Sequence, residues 1–573
     1  MKTVHILLTF SAILLILSFT AIKTKTTNKT ICNPINLSYR FCLDKPSRRE
    51  AADPVIVLFK DEYYLFASKS GGYWHSTDLV NWDFITSAEL PFEDYAPAVV
   101  AIKDTLYFIA SGNAPVLIFK TSEPKSGKWR VASAAFPIGM TDPDLFLDDD
   151  GRLYFYFGCS NSNPIYAVEL DRMTLNPKSK PVDCFNSNSD KYGWEQTGDY
   201  NNITDRPWIE GSWMTKHNGK YYLQYAGPGT QYKSYCDGVY TADNPLGPFK
   251  VATHNPFSYK PGGFVAGAGH SCTFQDKYGN YWHITTMTIS QKHMFERRLG
   301  LFPVFFDNDG TFYTYTGFGD FPFSIPDRKI NGPDELFPHW MLLSYKKPVE
   351  VSSELQGFPK NQAVDEEIRT YWSAKTGNKG EWISIDLQKE SVINAIQINF
   401  AENQTQLFNR SPKIYYQYIL EYSDDNKTWK QLVDKTTNKT DIPHDYIQLS
   451  TPVKARYIRL TNYHVPDGTF ALSGFRIFGN GQGKKPDAVR NFSIMRKQTD
   501  KREVRIKWKK NIDATGFNIR YGTQKDKLYN NYEVLGTDSL TIRSLNSELN
   551  YYFVIDAFNE NGVAKGNNIV MVN

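Results

Sequence analysis

The sequence predicts an all-β chain in which a five-bladed β-propeller precedes two smaller β-rich modules. Three observations carry that reading. Helical periodicity is almost absent, and short strands alternate with Gly, Asn and Asp turns. A turn followed by an aromatic-rich strand recurs five times within the first three hundred residues. After about residue 348 that repeat stops and a different strand texture begins. At 573 residues the chain exceeds what one hydrophobic core serves, and roughly three to four domains are expected.

The chain opens with Lys2, an apolar run over residues 6–22, and then Lys23. This pattern predicts a secretory signal over residues 1–25 and places the protein outside the cell or in the periplasm. The alternative is an uncleaved anchor helix, for which the run is at the short end. No other segment is apolar enough to cross a bilayer. Aromatic residues make up 15% and charged residues 22%, the composition of a folded protein. Net charge is +4 without a basic block, so no nucleic-acid partner is expected. The six cysteines form no C-x-x-C pair, which argues against structural zinc. In a secreted chain Cys32 and Cys42 could close a short disulfide loop.

The repeat is a hairpin signal, Asp/Asn-Gly or an equivalent turn followed by aromatics at Tyr63, Tyr107, Tyr154, Tyr221 and Tyr281. Units at this spacing indicate four-stranded propeller blades. Ten to twelve residues before each aromatic stands a second recurring position. It holds Asp53 in Ala-Asp-Pro, Tyr95 in Tyr-Ala-Pro, Asp142 in Thr-Asp-Pro, Glu210 in Ile-Glu-Gly and His270 in Gly-His-Ser. Since the first strand of each blade lines the central axis, these residues are expected to meet at one end of it. A lone acid before a strand is ordinarily a turn residue; three acids and a histidine in one register are not so easily explained. Like charges this close cannot all ionise freely, so one carboxyl pKa must rise, as a general acid requires.

These motifs resemble family 43 glycoside hydrolases, five-bladed propellers acting on arabinosides, xylosides and related sugars. The likeness runs from about residue 33 to 323 and also includes Arg298-Leu299-Gly300. It implies Asp53 as the general base, Glu210 as the general acid and Asp142 as the residue that orients Glu210. It implies an inverting reaction, whose two carboxyls stand apart to admit water. His270 would bind water or a metal ion, with a buried structural histidine as the alternative, and Arg298 would contact the sugar. Tyr95 replaces the tryptophan of many members. Glu50 and Asp144 lie close enough in sequence to compete with the acids. Trp74, Trp208 and Trp213 flank the motifs and are candidate stacking surfaces, with core packing as the alternative for each. The Asn-Asp-Pro-Asn start of invertase-like propellers is not present, which argues against sucrose or fructan.

The propeller is expected over residues 26–330, followed by a polar linker. Residues 342–480, with Ala363-Val364-Asp365, Thr370-Tyr371-Trp372 and Phe475-Arg476-Ile477-Phe478-Gly479, resemble a discoidin (coagulation factor type C) β-sandwich. This resemblance implies a carbohydrate-binding or spacer role, with a structural calcium near Asp365 allowed. Residues 484–573, with Trp508, Leu545 and Tyr551, resemble a fibronectin type III β-sandwich, expected to be a spacer. The expected activity is exo-acting, inverting release of a terminal sugar, α-L-arabinofuranose first, from a plant or microbial polysaccharide. β-Xylosidase, β-galactofuranosidase and galactan-cleaving activities are the alternatives within the class. Outside it stand a non-catalytic carbohydrate-binding surface protein and a glycan-binding adhesin. No cofactor is required, and a monomer is expected.

Overall fold

A computed structural model describes residues 29–93, 95–509 and 511–573; the signal expected at 1–25 lies outside them. Among the described residues no helix is long and apolar enough to cross a membrane.

Twenty strands form five antiparallel four-stranded blades. The first blade comprises Ala52–Phe59, Glu62–Ser68, Tyr73–Ser76 and Asp83–Ile85. The second comprises Ala98–Ile102, Thr105–Ile109, Val116–Thr121 and Arg130–Phe136. Blades three, four and five begin at Asp144–Leu147, Glu210–His217 and Ala266–Gln275. Each first strand touches the first strands of both neighbouring blades, so the ring closes around one axis. The predicted hairpin aromatics fall on the second strand of every blade. Aromatic rings of these strands pack between blades: Tyr63 of the first meets Phe274 of the fifth at 6.4 Å, Phe66 meets Phe108 of the second at 5.9 Å, and Trp282 is fully buried. The ring is clasped by the N-terminal segment, where Thr30–Ile31 pairs with Phe323–Ser324 and Asn33 bridges to Leu301.

Each first strand carries a left-handed residue, at or near its start for Asp53, Ala96, Asp142 and Gly211 and in mid-strand for His270, with φ between 43° and 60°. Such a conformation costs about 1–3 kcal/mol at a non-glycine residue. It turns the chain sharply so that the adjoining side chains face the axis. The structure therefore refines the register read from sequence. Glu210 precedes its blade's left-handed position and aligns with Tyr95, whereas Asp53, Asp142 and His270 occupy that position.

Behind the propeller, residues 341–480 form a second sandwich built on two long strands, Trp382–Phe400 and His444–His464. Register shifts between Asp386 and Ser391 and between Ile393 and Ala395 bend these strands so that one strand serves two layers. The last module packs Phe492–Arg496, Val504–Trp508 and Ser539–Ile542 against a sheet centred on Gly516–Gly522 and Tyr551–Asn559. Tyr551 accepts the Asn546 N–H at 2.9 Å, holding the corner between them. The expected polar linker is instead packed: Phe337, Trp340, Met341 and Leu342 join Phe318, Phe478 and Phe558 in an apolar cluster shared by all three domains. No disulfide forms among the described residues. Cys32 donates to the Asp320 carbonyl and Cys42 to the Glu50 carboxylate. A Cys32–Cys42 bridge is thereby corrected: each thiol is buried against its own acceptor.

Candidate active site

At one end of the propeller axis the first strands bring Asp53, Asp142, Glu210 and His270 together. The His270 imidazole is the hub. Its Nδ1 stands 3.2 Å from Asp53 Oδ1 and 3.7 Å from Asp142 Oδ2. Ligand atoms of Asp142, Glu210 and His270 all lie within 4.8 Å of one another. Asp53 stands outside that set and approaches the ring from the side of Arg297, whose Nη1 is 3.4 Å from Asp53 Oδ1.

Each carboxylate has its own environment. Asp53 accepts the Ser68 hydroxyl at 2.6 Å, and its backbone N–H is fixed on Thr286 Oγ1. Burial alone would raise its pKa, but the Arg297 guanidinium and His270 outweigh burial and hold it below the usual carboxylate range. Asp53 is thus kept ionised, the state that its expected role as a base requires. Asp142 receives only the Gly211 N–H, at 3.3 Å. Burial, reinforced by the charges of Glu210 and Asp53 and partly offset by His270, pushes it up to about 7. Glu210 is half-buried; its Oε1 takes the Tyr235 hydroxyl and its Oε2 the Cys159 thiol at 3.2 Å. For His270, burial pulls the pKa down, yet Asp53, Asp142 and Glu210 together raise it above the ordinary imidazole value.

Asp142, Glu210 and His270 could in principle hold a cation. Their carboxylate oxygens, however, are already engaged by the Gly211 N–H and the Tyr235 and Cys159 protons, and His270 Nδ1 faces Asp53 and Asp142. This donor set fits a hydrogen-bonded cluster better than a metal site. At Asp365 the two oxygens take the Thr370 hydroxyl and the Glu367 N–H, a local turn that uses the carboxylate proposed for calcium.

Several expected residues lie elsewhere. Arg298 is buried behind the strand, donating to His444 Nε2 at 2.8 Å and to the Arg49 carbonyl at 3.0 Å. Its neighbour Arg297 faces the acids instead, because successive residues of a strand point to opposite faces. Trp74 is 1% exposed and packs in the first-blade core against Phe84 and Tyr39. Trp213 is half-buried against the same core, its indole N–H bonded to the Thr273 carbonyl. Trp208, 46% exposed two residues before Glu210, remains available for stacking. Tyr95 is half-buried at the mouth, its ring 5.9 Å from the Arg297 guanidinium and near Phe295. Neither competitor displaces an expected acid. Glu50 is fully buried and ion-paired to Arg297 at 2.6 Å, and Asp144 is buried on the Met214 N–H. Ser68, Cys159, Tyr235 and Arg297 were missed by sequence reasoning. Arg297 alone had a signal, the alternation of the strand that carries Arg298.

Residues 46–312 match the model of the glycosyl hydrolases family 43, and residues 348–475 match that of the F5/8 type C domain. A β-D-galactofuranosidase of Aspergillus niger is 25% identical over 268 residues, covering 40% of this chain and 72% of that protein. An arabinoxylan arabinofuranohydrolase of Paenibacillus polymyxa is 31% identical over 306 residues, covering 42% of this chain and 45% of that protein. A solved glycoside hydrolase aligns over 77% of this chain and 99% of its own, at 18% identity and a TM-score of 0.45. The chain spans less than half of the arabinofuranohydrolase it matches. On these matches, the acids converge within a glycoside hydrolase domain of family 43, and that domain is followed by one of the F5/8 type C family.

Proposed function

We propose that this chain is a secreted, monomeric, inverting exo-glycosidase that releases terminal α-L-arabinofuranose from a polysaccharide, without a resident cofactor. The observation that carries this reading is the split environment of the acids, with Asp53 held ionised and Asp142 held towards its neutral form in one buried cluster. Asp53 takes a proton from water as the water attacks the anomeric carbon. Glu210 gives its proton to the leaving oxygen, and Asp142 keeps the Glu210 carboxyl in place. His270 and Arg297 supply the positive charge that keeps Asp53 a carboxylate. Arabinofuranose is placed first because α-L-arabinofuranose and β-D-galactofuranose share their ring configuration and differ in the exocyclic arm. The names of both relatives above thus fit one furanose pocket, and β-galactofuranose is the second reading. The last module is read as fibronectin type III, supporting the propeller without chemistry of its own.

A panel of aryl furanosides and pyranosides, with arabinan, arabinoxylan and galactan oligosaccharides, tests the substrate. Glu210→Gln is expected to lose about 10²–10⁴-fold on a natural oligosaccharide and far less on an activated aryl glycoside, which leaves without protonation. Asp53→Asn is expected to lose both alike, since both need the attacking water. Proton NMR of the first sugar released is expected to show the inverted anomer; a retained anomer would remove the mechanism.

A further inference from the structure

The catalytic acid is held by a loop that the propeller alone does not hold. Residues 228–235 cross the rim between the second and third strands of the fourth blade. Their C-terminal end carries Tyr235, whose hydroxyl donates to Glu210. Their N-terminal end carries Thr230, whose hydroxyl accepts from Arg297 Nη1 at 3.2 Å, the same guanidinium that faces Asp53. One short loop thus touches the partners of both the acid and the base.

Its outer side is fastened by the F5/8 type C domain. Arg369 Nη2 donates to the Gln231 carbonyl at 3.2 Å, and Nη1 to Asp199 Oδ2 at 2.7 Å. The other Asp199 oxygen takes the Lys233 N–H at 2.9 Å. The Lys233 ammonium pairs with Glu367. Between these two residues Ile368 is 4% exposed; it bonds the Phe264 carbonyl through its N–H and packs against Phe264, Ala268 and Met287 of the fifth blade. Glu367-Ile368-Arg369 is therefore a plug: its apolar centre enters the propeller, and its charged flanks clamp the rim loop. A merely adhesive contact would not need both flanks to converge on the loop whose Tyr235 hydroxyl donates to Glu210.

We infer that Arg369, with Glu367, is a positioning residue of the catalytic centre: it holds the loop at residues 228–235 so that Tyr235 keeps the Glu210 carboxyl aimed at the leaving oxygen. This inference rests on the role of Glu210 proposed above. It makes the second domain part of the catalytic machinery.

The test uses the full chain with Arg369→Ala, Arg369→Lys and Glu210→Gln side by side. Arg369→Ala is expected to lower kcat about tenfold or more on an oligosaccharide with a poor leaving group, and about threefold or less on an activated aryl glycoside. Arg369→Lys, which restores one charged contact, is expected to recover part of the loss. Amide exchange of residues 228–236 is expected to quicken about tenfold in Arg369→Ala while the other blades keep their protection. Equal losses on both substrates would reduce Arg369 to a structural role and overturn the inference, as would unchanged exchange in the loop. Leaving-group indifference in Glu210→Gln, with quickened exchange in Arg369→Ala, would instead sink the acid assignment and leave the clamp standing.

Discussion

Asp144 stands two residues beyond Asp142 and shows what burial does to a carboxyl without a charged partner. It is 1% exposed, and its side chain takes the Met214 N–H at 2.8 Å. Burial pushes it from 3.8 up to about 8, with the Met214 and Leu145 N–H groups pulling part of the way back. Because the folded value lies above the unfolded one, the stability it contributes is full below about pH 4. It is lost as pH rises through about 8. Each pH unit in that window carries up to about 1.4 kcal/mol. Asp144→Asn keeps an acceptor for Met214 and removes the titration. Its melting temperature is expected to fall less between pH 5 and pH 8 than that of the parent chain, by differential scanning calorimetry. Parallel slopes would show that Asp144 is not the titrating group. Asp53, also buried, has the Arg297 and His270 charges and the Ser68 hydroxyl beside it, and these hold its carboxyl low where that of Asp144 rises.

At the scale of one blade, the left-handed residue of each first strand fixes where side chains point. Gly211 makes this testable. Its φ is +60°, and an added Cβ would lie 2.7 Å from the His270 ring, well inside contact. Gly211→Ala is therefore expected to displace the imidazole that links Asp53 to Asp142, in addition to backbone strain of about 1–3 kcal/mol. Activity is expected to drop about 10²-fold, whereas the fold, read by near-ultraviolet circular dichroism, persists. Full activity in Gly211→Ala would mean that the hub does not need its present seat. The same kink explains why the sequence register, counted from the hairpin aromatics, was one residue out at Glu210: the fourth blade places its acid just before the kink and a glycine upon it.

Across the whole molecule, the domains are joined by buried charge. Arg49, wholly buried in the propeller's leading segment, pairs with Glu402 at 2.6 Å and with Asp441 at 2.6 Å from the second domain. Arg298 lies beside it, reaching His444 and Glu402. Removing one partner strands the others away from water. Arg49→Met is expected to cost about 3–5 kcal/mol, read as a lower urea midpoint; a shift under about 1 kcal/mol would show that water fills the gap. The last module is also fastened: Tyr529 stacks on Tyr313 at 3.6 Å, Lys527 pairs with Asp309, and Phe558 packs on Phe318. The module expected to be a spacer is thus docked on the fifth blade.

The all-β class and the five blades were legible in the sequence, as was the near-common register that brings Asp53, Asp142, Glu210 and His270 together. Those features are written in local signals: a turn, an alternating aromatic strand, and an acid at a fixed distance before it. The change of strand texture after about residue 348 likewise marked further β-rich structure. Tertiary structure alone decided which of two adjacent arginines faces the acids, because alternation gives a period of two but not its phase. It also decided that Trp74 and Trp213 pack in the core while Trp208 stays exposed, since an indole's sequence neighbours do not say which blade will cover it. And it alone brought Arg369 to Gln231 and Arg49 to Glu402. Such pairings join residues more than a hundred positions apart, and their free energy comes from sharing one buried space, which no local pattern in the chain encodes.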